Sequence, residues 1–154
     1  YGLWSPEISS TYSSGAICSG GTCTVSGGSL SVGNRYWYAR AINSAGSSPW
    51  SSGLSFSVVP GTPALTLPSG TGQSKDPVYT WSDTGAKSYY IWVGSSAGTA
   101  VYTNVTSAGA GCNGTSCSTT GPTLSSATNH YWYVLSYAPP CPTSWSSGTY
   151  FRTL

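Results

Sequence analysis

Charged residues are nearly absent from this sequence of 154 residues. Asp, Glu, Lys and Arg make up 5% of the chain, whereas an ordinary soluble domain contains about 25%. The charges are scattered and leave a net charge of +2, so no basic stripe is available to neutralise a phosphate backbone. We therefore expect no nucleic-acid partner.

Residue types that perform catalysis are equally scarce. His130 is the only histidine, and the acids Glu7, Asp76 and Asp83 lack the paired spacing that glycoside hydrolysis requires. The acids also lack the alternating pattern of a calcium loop, and no glycine-rich loop is followed by the lysine of a phosphate site. We therefore predict a non-enzymatic protein with no catalytic residue, no cofactor and no metal site.

Long apolar runs are missing too. No stretch approaches the roughly 18 apolar residues of a membrane span, and no charged-then-apolar signal segment opens the chain. The sequence therefore predicts no membrane span. Because the chain starts at Tyr1 without Met, we expect a processed or partial product.

The polar residues that are present carry hydroxyl groups rather than charge. The chain contains 31 Ser, 19 Thr and 20 Gly, a composition that often indicates disorder. However, 7 Trp and 12 Tyr supply far more large buriable surface than disordered segments carry. We therefore expect a folded protein.

Five cysteines indicate the compartment. Cys18 and Cys23 flank a four-residue loop that contains glycine, and Cys112 and Cys117 repeat that spacing. Each pair fits a disulfide across a tight turn, although a zinc site with four cysteine ligands tolerates the same gap. The pairs lie 94 residues apart, beyond the usual gap between zinc-ligand pairs, which favours disulfides and an oxidising, extracellular location. Cys141 is left over as a free or intermolecular thiol.

An internal repeat organises the chain. Two motifs, Tyr-Trp-Tyr and Trp-Ser-Ser-Gly, each occur twice with an offset of 95. The matches are Tyr36-Trp-Tyr38 with Tyr131-Trp-Tyr133, Trp50-Ser-Ser-Gly53 with Trp145-Ser-Ser-Gly148, Phe56 with Phe151 and, at an offset of 88, Leu3-Trp4 with Ile91-Trp92. The sequence therefore contains two copies of a unit of roughly 95 residues, and the first copy is incomplete.

Each copy has the pattern of short β-strands. Residues 78–81 (VYTW), 88–93 (SYYIWV) and 130–137 (HYWYVLSY) are rich in aromatic and β-branched residues and are bounded by turn residues. No stretch holds a helical period, and Gly or Pro interrupts nearly every window of about ten residues. The sequence predicts an all-β chain with the strand count of a sandwich.

These residues resemble the core pattern of fibronectin type III-like repeats in bacterial extracellular proteins. The resemblance rests on Trp81, Thr84-Gly-Ala86 and Tyr89-x-Ile91-x-Val93, and in the first copy on Tyr36-Trp-x-Ala39-x-Ala41-x-Asn43-x-Ala45-Gly46 with Pro49-Trp50-Ser51. It implies tandem immunoglobulin-like β-sandwiches: a partial repeat at residues 1–59, with strands C to G, and a complete repeat at residues 60–154. The second copy departs from the pattern where residues 138–141 (APPC) replace residues 43–46 (NSAG).

The resemblance also implies which side chains face the core. The inward positions are Tyr89, Ile91 and Val93 on strand C, Trp132, Val134 and Ser136 on strand F, and Trp81 on strand B. Alternation then places one set of aromatic rings outward on neighbouring strands: Trp4, Tyr36, Tyr38, Tyr90, Trp92, Tyr131 and Tyr133. Such a patch is typical of subunit packing, of cross-strand pairing within a sheet, or of sugar contact.

The first copy begins at the counterpart of strand C, so its strands A and B are absent. Half a sandwich exposes its core face and an unpaired strand edge, which a soluble monomer does not tolerate. A preceding part of a longer tandem array, or a neighbouring chain that lends strands, must cover this face. We expect an ordered assembly: a structural or adhesive subunit of an extracellular filament or surface layer, whose partners are copies of itself or adjacent repeats.

Two sequons, Asn104-Val-Thr106 and Asn113-Gly-Thr115, are candidate glycosylation sites. Both lie in the region leading to the second cysteine pair, which we expect to be an exposed loop. Glycans are therefore candidate partners. The alternative function is a carbohydrate-binding accessory module of a secreted polysaccharide-degrading enzyme, because flat aromatic surfaces stack on sugar faces.

Overall fold

The computed structural model describes residues 1–5, 9–95, 98–107, 111–141 and 144–154, with backbone alone at residues 101 and 103–107. Glu7 lies outside the described residues. The chain divides into two compact units, Tyr1–Val58 (unit 1) and Val59–Leu154 (unit 2). Apart from one helical turn in unit 1, the regular elements of the described residues are strands, so the predicted all-β class is confirmed. No helix in the described part of the chain could cross a membrane.

Unit 1 contains eight short strands and one helical turn. They are β1 (Gly2–Trp4), β2 (Ser9–Thr11), α1 (Ser14–Ile17), β3 (Cys18–Ser19), β4 (Thr22–Cys23), β5 (Gly33–Arg40), β6 (Ile42–Asn43), β7 (Gly46–Ser47) and β8 (Leu54–Val58). The predicted strand of the Tyr-Trp-Tyr motif is β5, the longest element of this unit.

Unit 2 contains eight strands and no helix among its described residues. They are β9 (Leu65–Leu67), β10 (Gly70–Gln73), β11 (Val78–Ser82), β12 (Ser88–Ser95), β13 (Ala100–Ser107), β14 (Ser116–Thr120), β15 (Asn129–Tyr137) and β16 (Thr149–Thr153). The three strands predicted in this copy are β11, β12 and β15, and each extends one or two residues beyond its predicted bounds.

The strands of unit 2 form two sheets. One has the order β10-β16-β15-β12-β13 and the other the order β14-β11-β9. In the first sheet, β12 pairs antiparallel along its whole length with β15, so strands C and F are neighbours as expected. This division into an A-B-E sheet and a C′-C-F-G sheet is that of an immunoglobulin-like β-sandwich, which confirms the predicted architecture.

Aromatic and β-branched side chains fill the space between the two sheets. All seven positions predicted to point inward are 0% exposed: Trp81, Tyr89, Ile91, Val93, Trp132, Val134 and Ser136. Tyr79 joins them, and its ring meets Trp132 edge-on at 5.1 Å and Phe151 at 6.2 Å between centroids. The core is therefore an aromatic cluster contributed by both layers.

Ser136 is a polar residue in this core, and its hydroxyl is hydrogen-bonded. Its Oγ donates to the Gly61 carbonyl at 2.9 Å and shares a hydrogen bond with the Thr84 hydroxyl, also at 2.9 Å. On the same turn, the Tyr89 hydroxyl donates to Asp83 Oδ1 at 2.8 Å. Because these hydroxyl groups have partners, their burial carries little penalty, and the network ties the turn between β11 and β12 to β15.

The segment that opens unit 2 is divided between the two sheets. β9 pairs with β11 in the three-stranded sheet, whereas β10 runs parallel to β16 in the five-stranded sheet. Pro68 separates them, and because proline has no N–H it cannot continue a ladder. The Trp132 indole N–H donates to the Pro68 carbonyl at 3.0 Å. The segment that crosses between the sheets therefore also supplies the hydrogen-bond acceptor for this buried indole.

Unit 1 has the counterpart of only one of these layers. Its four-stranded sheet has the order β2-β1-β5-β8, in which β1, β5 and β8 correspond by the repeat to β12, β15 and β16. Apart from the hairpins β3-β4 and β6-β7, the described residues of unit 1 form no further sheet. Nothing in this part of the chain takes the position that β11 occupies in unit 2.

The difference between the units appears in the burial of matched residues. Trp37 and Phe56 are 39% and 37% exposed, whereas their counterparts Trp132 and Phe151 are 0% exposed. The strand register is the same in both units. Phe56 lies opposite the residue two positions before Trp37, and Phe151 lies opposite the residue two positions before Trp132. The missing second layer therefore accounts for the exposure.

This asymmetry predicts that one substitution has unequal effects in the two units. Phe151→Ala is expected to lower the free energy of unfolding of unit 2 by about 3–5 kcal/mol, because it opens a cavity in a closed core. Phe56→Ala is expected to cost about 1 kcal/mol or less in unit 1. Urea unfolding of the full chain, followed by tryptophan fluorescence, measures both, and equal losses would contradict the open face.

Candidate functional site

The Trp-Ser-Ser-Gly motif is held against the sheet in the same way in both units. In unit 2, the Ser146 amide donates to the Val134 carbonyl at 2.8 Å, and the Val134 amide donates to Ser146 Oγ at 2.9 Å. In unit 1, Ser51 and Ala39 make the same two bonds at 2.8 and 3.0 Å. The serine hydroxyl thus accepts the strand amide in place of a backbone carbonyl. Since the serine is bonded twice to the strand, the tryptophan that precedes it is held beside the sheet.

In unit 2, that tryptophan completes an aromatic groove on the outer face of the five-stranded sheet. The unit 2 groove is lined by Tyr90, Trp92, Tyr133 and Trp145 and has a cavity volume of about 440 Å³. The rings of Trp92 and Tyr133 lie 5.6 Å apart and are tilted by 58°. Tyr90 meets Trp145 edge-on at 5.7 Å. The four rings therefore form a shallow trough with tilted walls.

Unit 1 has a matching groove. The unit 1 groove is lined by Trp4, Tyr38, Trp50 and Ser51 and has a cavity volume of about 500 Å³. Trp4 and Tyr38 lie 5.6 Å apart with a tilt of 51°, nearly the geometry of their counterparts in unit 2. The Arg40 guanidinium lies 4.7 Å from the centroid of the Trp50 ring, a cation–π contact that replaces the Tyr90 contact of unit 2.

The glycine that ends each Trp-Ser-Ser-Gly motif makes room for the tyrosine of its groove. A Cβ atom built at Gly148 would overlap the ring carbons of Tyr133, and one built at Gly53 would overlap those of Tyr38. Only glycine lets the ring lie this close to the backbone. The motif therefore positions both the tryptophan and the tyrosine of each groove.

The structure brings together most, but not all, of the seven residues predicted as a patch. Two of them, Trp4 and Tyr38, line the unit 1 groove, and three, Tyr90, Trp92 and Tyr133, line the unit 2 groove. Tyr36 and Tyr131 are 51% and 39% exposed and line neither groove. Sequence reasoning missed Trp50 and Trp145 as groove residues, although both stand in the repeated Trp-Ser-Ser-Gly motif.

A separate apolar cavity lies on the core face of the unit 1 sheet. The unit 1 open face has a cavity volume of about 530 Å³ and is lined by residues that include Leu3, Val25, Leu30, Trp37 and Phe56. Since Tyr79 packs on Trp132 and Phe151 in unit 2, the cavity next to their counterparts is the place that a tyrosine of an equivalent strand would fill.

Both predicted cysteine pairs are bonded. Cys18–Cys23 and Cys112–Cys117 have S–S distances of 2.04 and 1.95 Å, and each joins directly opposed residues of a hairpin. The Asp83 carboxylate lies close to the second disulfide, but sulfur atoms in a disulfide are not thiolate ligands, so this cluster is not a metal site. Cys141 carries a free thiol and is buried.

The two sequons lie in different surroundings. Asn113 is exposed, and its Oδ1 accepts the amides of Thr115 and Ser116 at 3.0 and 2.9 Å within the disulfide hairpin. Asn104 lies within β13 and not in a loop, because Asn104 and the residues on both sides of it pair with residues of β12. The prediction of a loop was wrong there, and the Asn104 side chain lies outside the described residues.

His130 occupies an inward position at the start of β15 and is 2% exposed. Its ring stacks on Phe151 at 5.1 Å, and neither ring nitrogen has a hydrogen-bond partner in the part of the chain that the structure describes. Burial lowers the pKa of the imidazole below its ordinary value of 6.5. The side chain is therefore a neutral residue of the unit 2 core.

His130 predicts a pH dependence of the stability of unit 2. The unfolded chain binds the proton more readily than the folded chain, so stability is present above pH 6.5 and is lost as the pH falls below it. Thermal unfolding is expected to show a lower melting temperature near pH 5.5 than near pH 7.5. The His130→Phe variant, which keeps the ring stack, should lose that slope; an unchanged slope would show that other groups cause it.

Comparisons with known proteins add little beyond the fold. No protein family model matches the chain, and no curated protein matches its sequence. Among solved structures, the chicken CNTN1 FN1-FN3 domains match with a TM-score of 0.41 and 16% sequence identity, over 80% of this chain. This chain spans 45% of that structure.

Proposed function

We propose that this protein is a non-enzymatic extracellular module with a structural role: a subunit of a filament or surface assembly. In this assembly, the unit 1 open face accepts an extended strand from another chain or from an adjacent repeat. The observation that carries the proposal is the exposure of Trp37 and Phe56, 39% and 37%, where the matched residues of unit 2 are 0% exposed.

Unit 2 indicates the chemistry of the accepted strand. There the face is covered by β11, which places Tyr79 and Trp81 in the core and pairs antiparallel with β14 from Val78 to Ser82. A strand that complements unit 1 therefore carries two large aromatic residues at alternate positions. Residues of this size stabilise by about 1.5–3 kcal/mol each when they are fully buried.

Main-chain groups for such pairing are also present in unit 1. By the repeat, the segment that follows Cys23 corresponds to β14, the partner of β11 in unit 2. Val25 and Ser26 belong to no strand in the structure. An incoming strand would form main-chain hydrogen bonds with Val25 and Ser26, so that β4 would continue through these two residues. This mode of recognition is β-augmentation.

Composition and cysteine chemistry support the location and the assembly. The two disulfides are typical of proteins in oxidising compartments, and the repeats resemble those of bacterial extracellular proteins. A charged fraction of 5% leaves little electrostatic repulsion between copies. These features favour subunits that associate.

The aromatic grooves favour a second candidate function, a carbohydrate-binding accessory module of a secreted polysaccharide-degrading enzyme. Both grooves present tilted aromatic rings at the surface, which suits sugar stacking. This function does not require the unit 1 open face to be covered by a strand.

The proposal predicts that the native protein associates and that unit 1 binds a strand peptide. Light scattering after size-exclusion chromatography should give a mass above the 15.8 kDa of one chain. A synthetic peptide of residues 62–83 should bind the full chain, with a saturable heat in isothermal titration calorimetry. The matched control is the same peptide with Tyr79→Ser and Trp81→Ser, which should not bind.

The possible outcomes separate the two parts of the proposal. A stable monomer that binds the peptide would overturn the assembly while supporting the strand-accepting face. A stable monomer that does not distinguish the peptide from its control would overturn both parts.

A further inference from the structure

The same aromatic groove is built twice in this chain, on units that differ in nearly everything around it. Unit 2 has a closed core and unit 1 an open one, yet the paired Trp and Tyr rings lie 5.6 Å apart in both, with tilts of 58° and 51°. The neighbours of the rings differ: Tyr90 and Leu135 in unit 2 correspond to Gly2 and Arg40 in unit 1. The groove therefore belongs to the outer sheet face and does not depend on the core.

Each groove is fixed before any ligand arrives. The serine of the Trp-Ser-Ser-Gly motif bonds twice to the neighbouring strand, which holds Trp50 and Trp145 beside their grooves. The glycine of the motif lets Tyr38 or Tyr133 lie against the backbone. A rigid groove loses little conformational entropy on binding.

The tilt of the rings leaves aromatic surface open to solvent. Rings inclined by 51° and 58° do not cover each other's faces as stacked rings would. Trp4, Trp50 and Trp145 are 43%, 42% and 47% exposed, although an indole is among the most costly groups to leave in water. Cross-strand pairing alone does not require this exposure.

The chemistry of the lining residues selects a neutral, polyhydroxylated ligand. The unit 2 groove is lined by four aromatic residues and no charged one, which disfavours phosphate, carboxylate or ammonium groups there. Beside the unit 1 groove, the Arg40 guanidinium lies over the Trp50 ring, so the preference for a neutral ligand is stronger in unit 2. Phenol and indole groups supply a few hydrogen bonds beside the apolar ring faces. A pyranose ring matches both, since it has a flat face of C–H groups and a rim of hydroxyls.

Both grooves are open, shallow and lined by four residues each. A stable protein interface buries about 800 Å² on each partner, so a protein partner has to contact many residues outside the groove. A sugar ring can be held by the aromatic lining alone.

We propose that the two aromatic grooves are corresponding binding sites for a neutral polysaccharide, with one sugar ring stacked in each. This proposal does not rest on the structural function above; it deepens the second candidate function by assigning the sites that hold the sugar. Each chain then carries two sugar sites.

Fluorescence titration and calorimetry of the full chain with neutral hexasaccharides test the proposal. The probes are cellohexaose, mannohexaose and chitohexaose, with oligogalacturonate as a charged control. We expect saturable binding of at least one neutral probe with two sites per chain, and no binding of oligogalacturonate to the unit 2 groove. Absence of saturable binding to all three neutral probes would overturn the proposal.

Variants at exposed positions locate the sites without opening the core. Trp50→Ala and Trp145→Ala should each remove one of the two sites, and the double variant should lose saturable binding. Gly148→Ala, which displaces the Tyr133 ring, should weaken the unit 2 site about tenfold or more. The matched control is Tyr36→Ala, an exposed aromatic residue that lines neither groove, and it should bind as the parent chain does.

The readouts separate this proposal from the structural function. Far-UV circular dichroism and light scattering should be unchanged in the Trp50→Ala and Trp145→Ala variants, because folding and strand acceptance involve the opposite sheet face. Sugar binding that survives in the double variant would contradict the assignment of the grooves. Loss of self-association without loss of sugar binding would instead show that the grooves pack subunits, and it would also contradict this assignment.

Discussion

The sandwich of unit 2 depends on aromatic packing between its layers, which includes the contact of Tyr79 of β11 with Trp132 and Phe151 of the opposite sheet. With 5% charged residues and one buried histidine, the chain has few ionic means of stabilisation. Burial of large rings therefore provides most of the stability. Unit 1 retains the Trp and Phe of this contact and lacks the Tyr, which is why its sheet has an exposed core face.

The two faces of each sheet serve different purposes. Alternation along β5 and β15 sends one set of residues to the core and the next set outward. The inward set requires a second layer, and only unit 2 has one among the described residues. The outward set forms an aromatic groove in both units, held by the serine and glycine of one short motif. The groove therefore depends on the outward residues and the motif, not on the second layer.

The sequence predicted three strands of unit 2 and the two cysteine pairs, because clusters of aromatic and β-branched residues between turns and a repeated spacing are local signals. The inward positions followed from the resemblance to fibronectin type III-like repeats. The sequence did not predict that the chain changes sheets at Pro68. The sheet that a segment joins depends on which strand it forms backbone hydrogen bonds with, and that partner is distant in the sequence. Nor did the sequence place Asn104 in β13, where polar hydroxyl residues resemble a loop. Trp50 and Trp145 stand in a motif that the sequence repeats. Their groove positions, however, follow from hydrogen bonds of the next serine to a distant strand, which the motif alone does not predict.

Hydrogen–deuterium exchange of the full chain, held as a monomer, compares the two units most directly. β5 and β15 correspond residue by residue, yet only β15 is covered by a second layer. The amides of Gly33–Arg40 are predicted to exchange at least about 100-fold faster than those of Asn129–Tyr137, since local opening costs less where fewer apolar groups are buried. Equal protection of the two strands in the monomer would contradict an open face in unit 1.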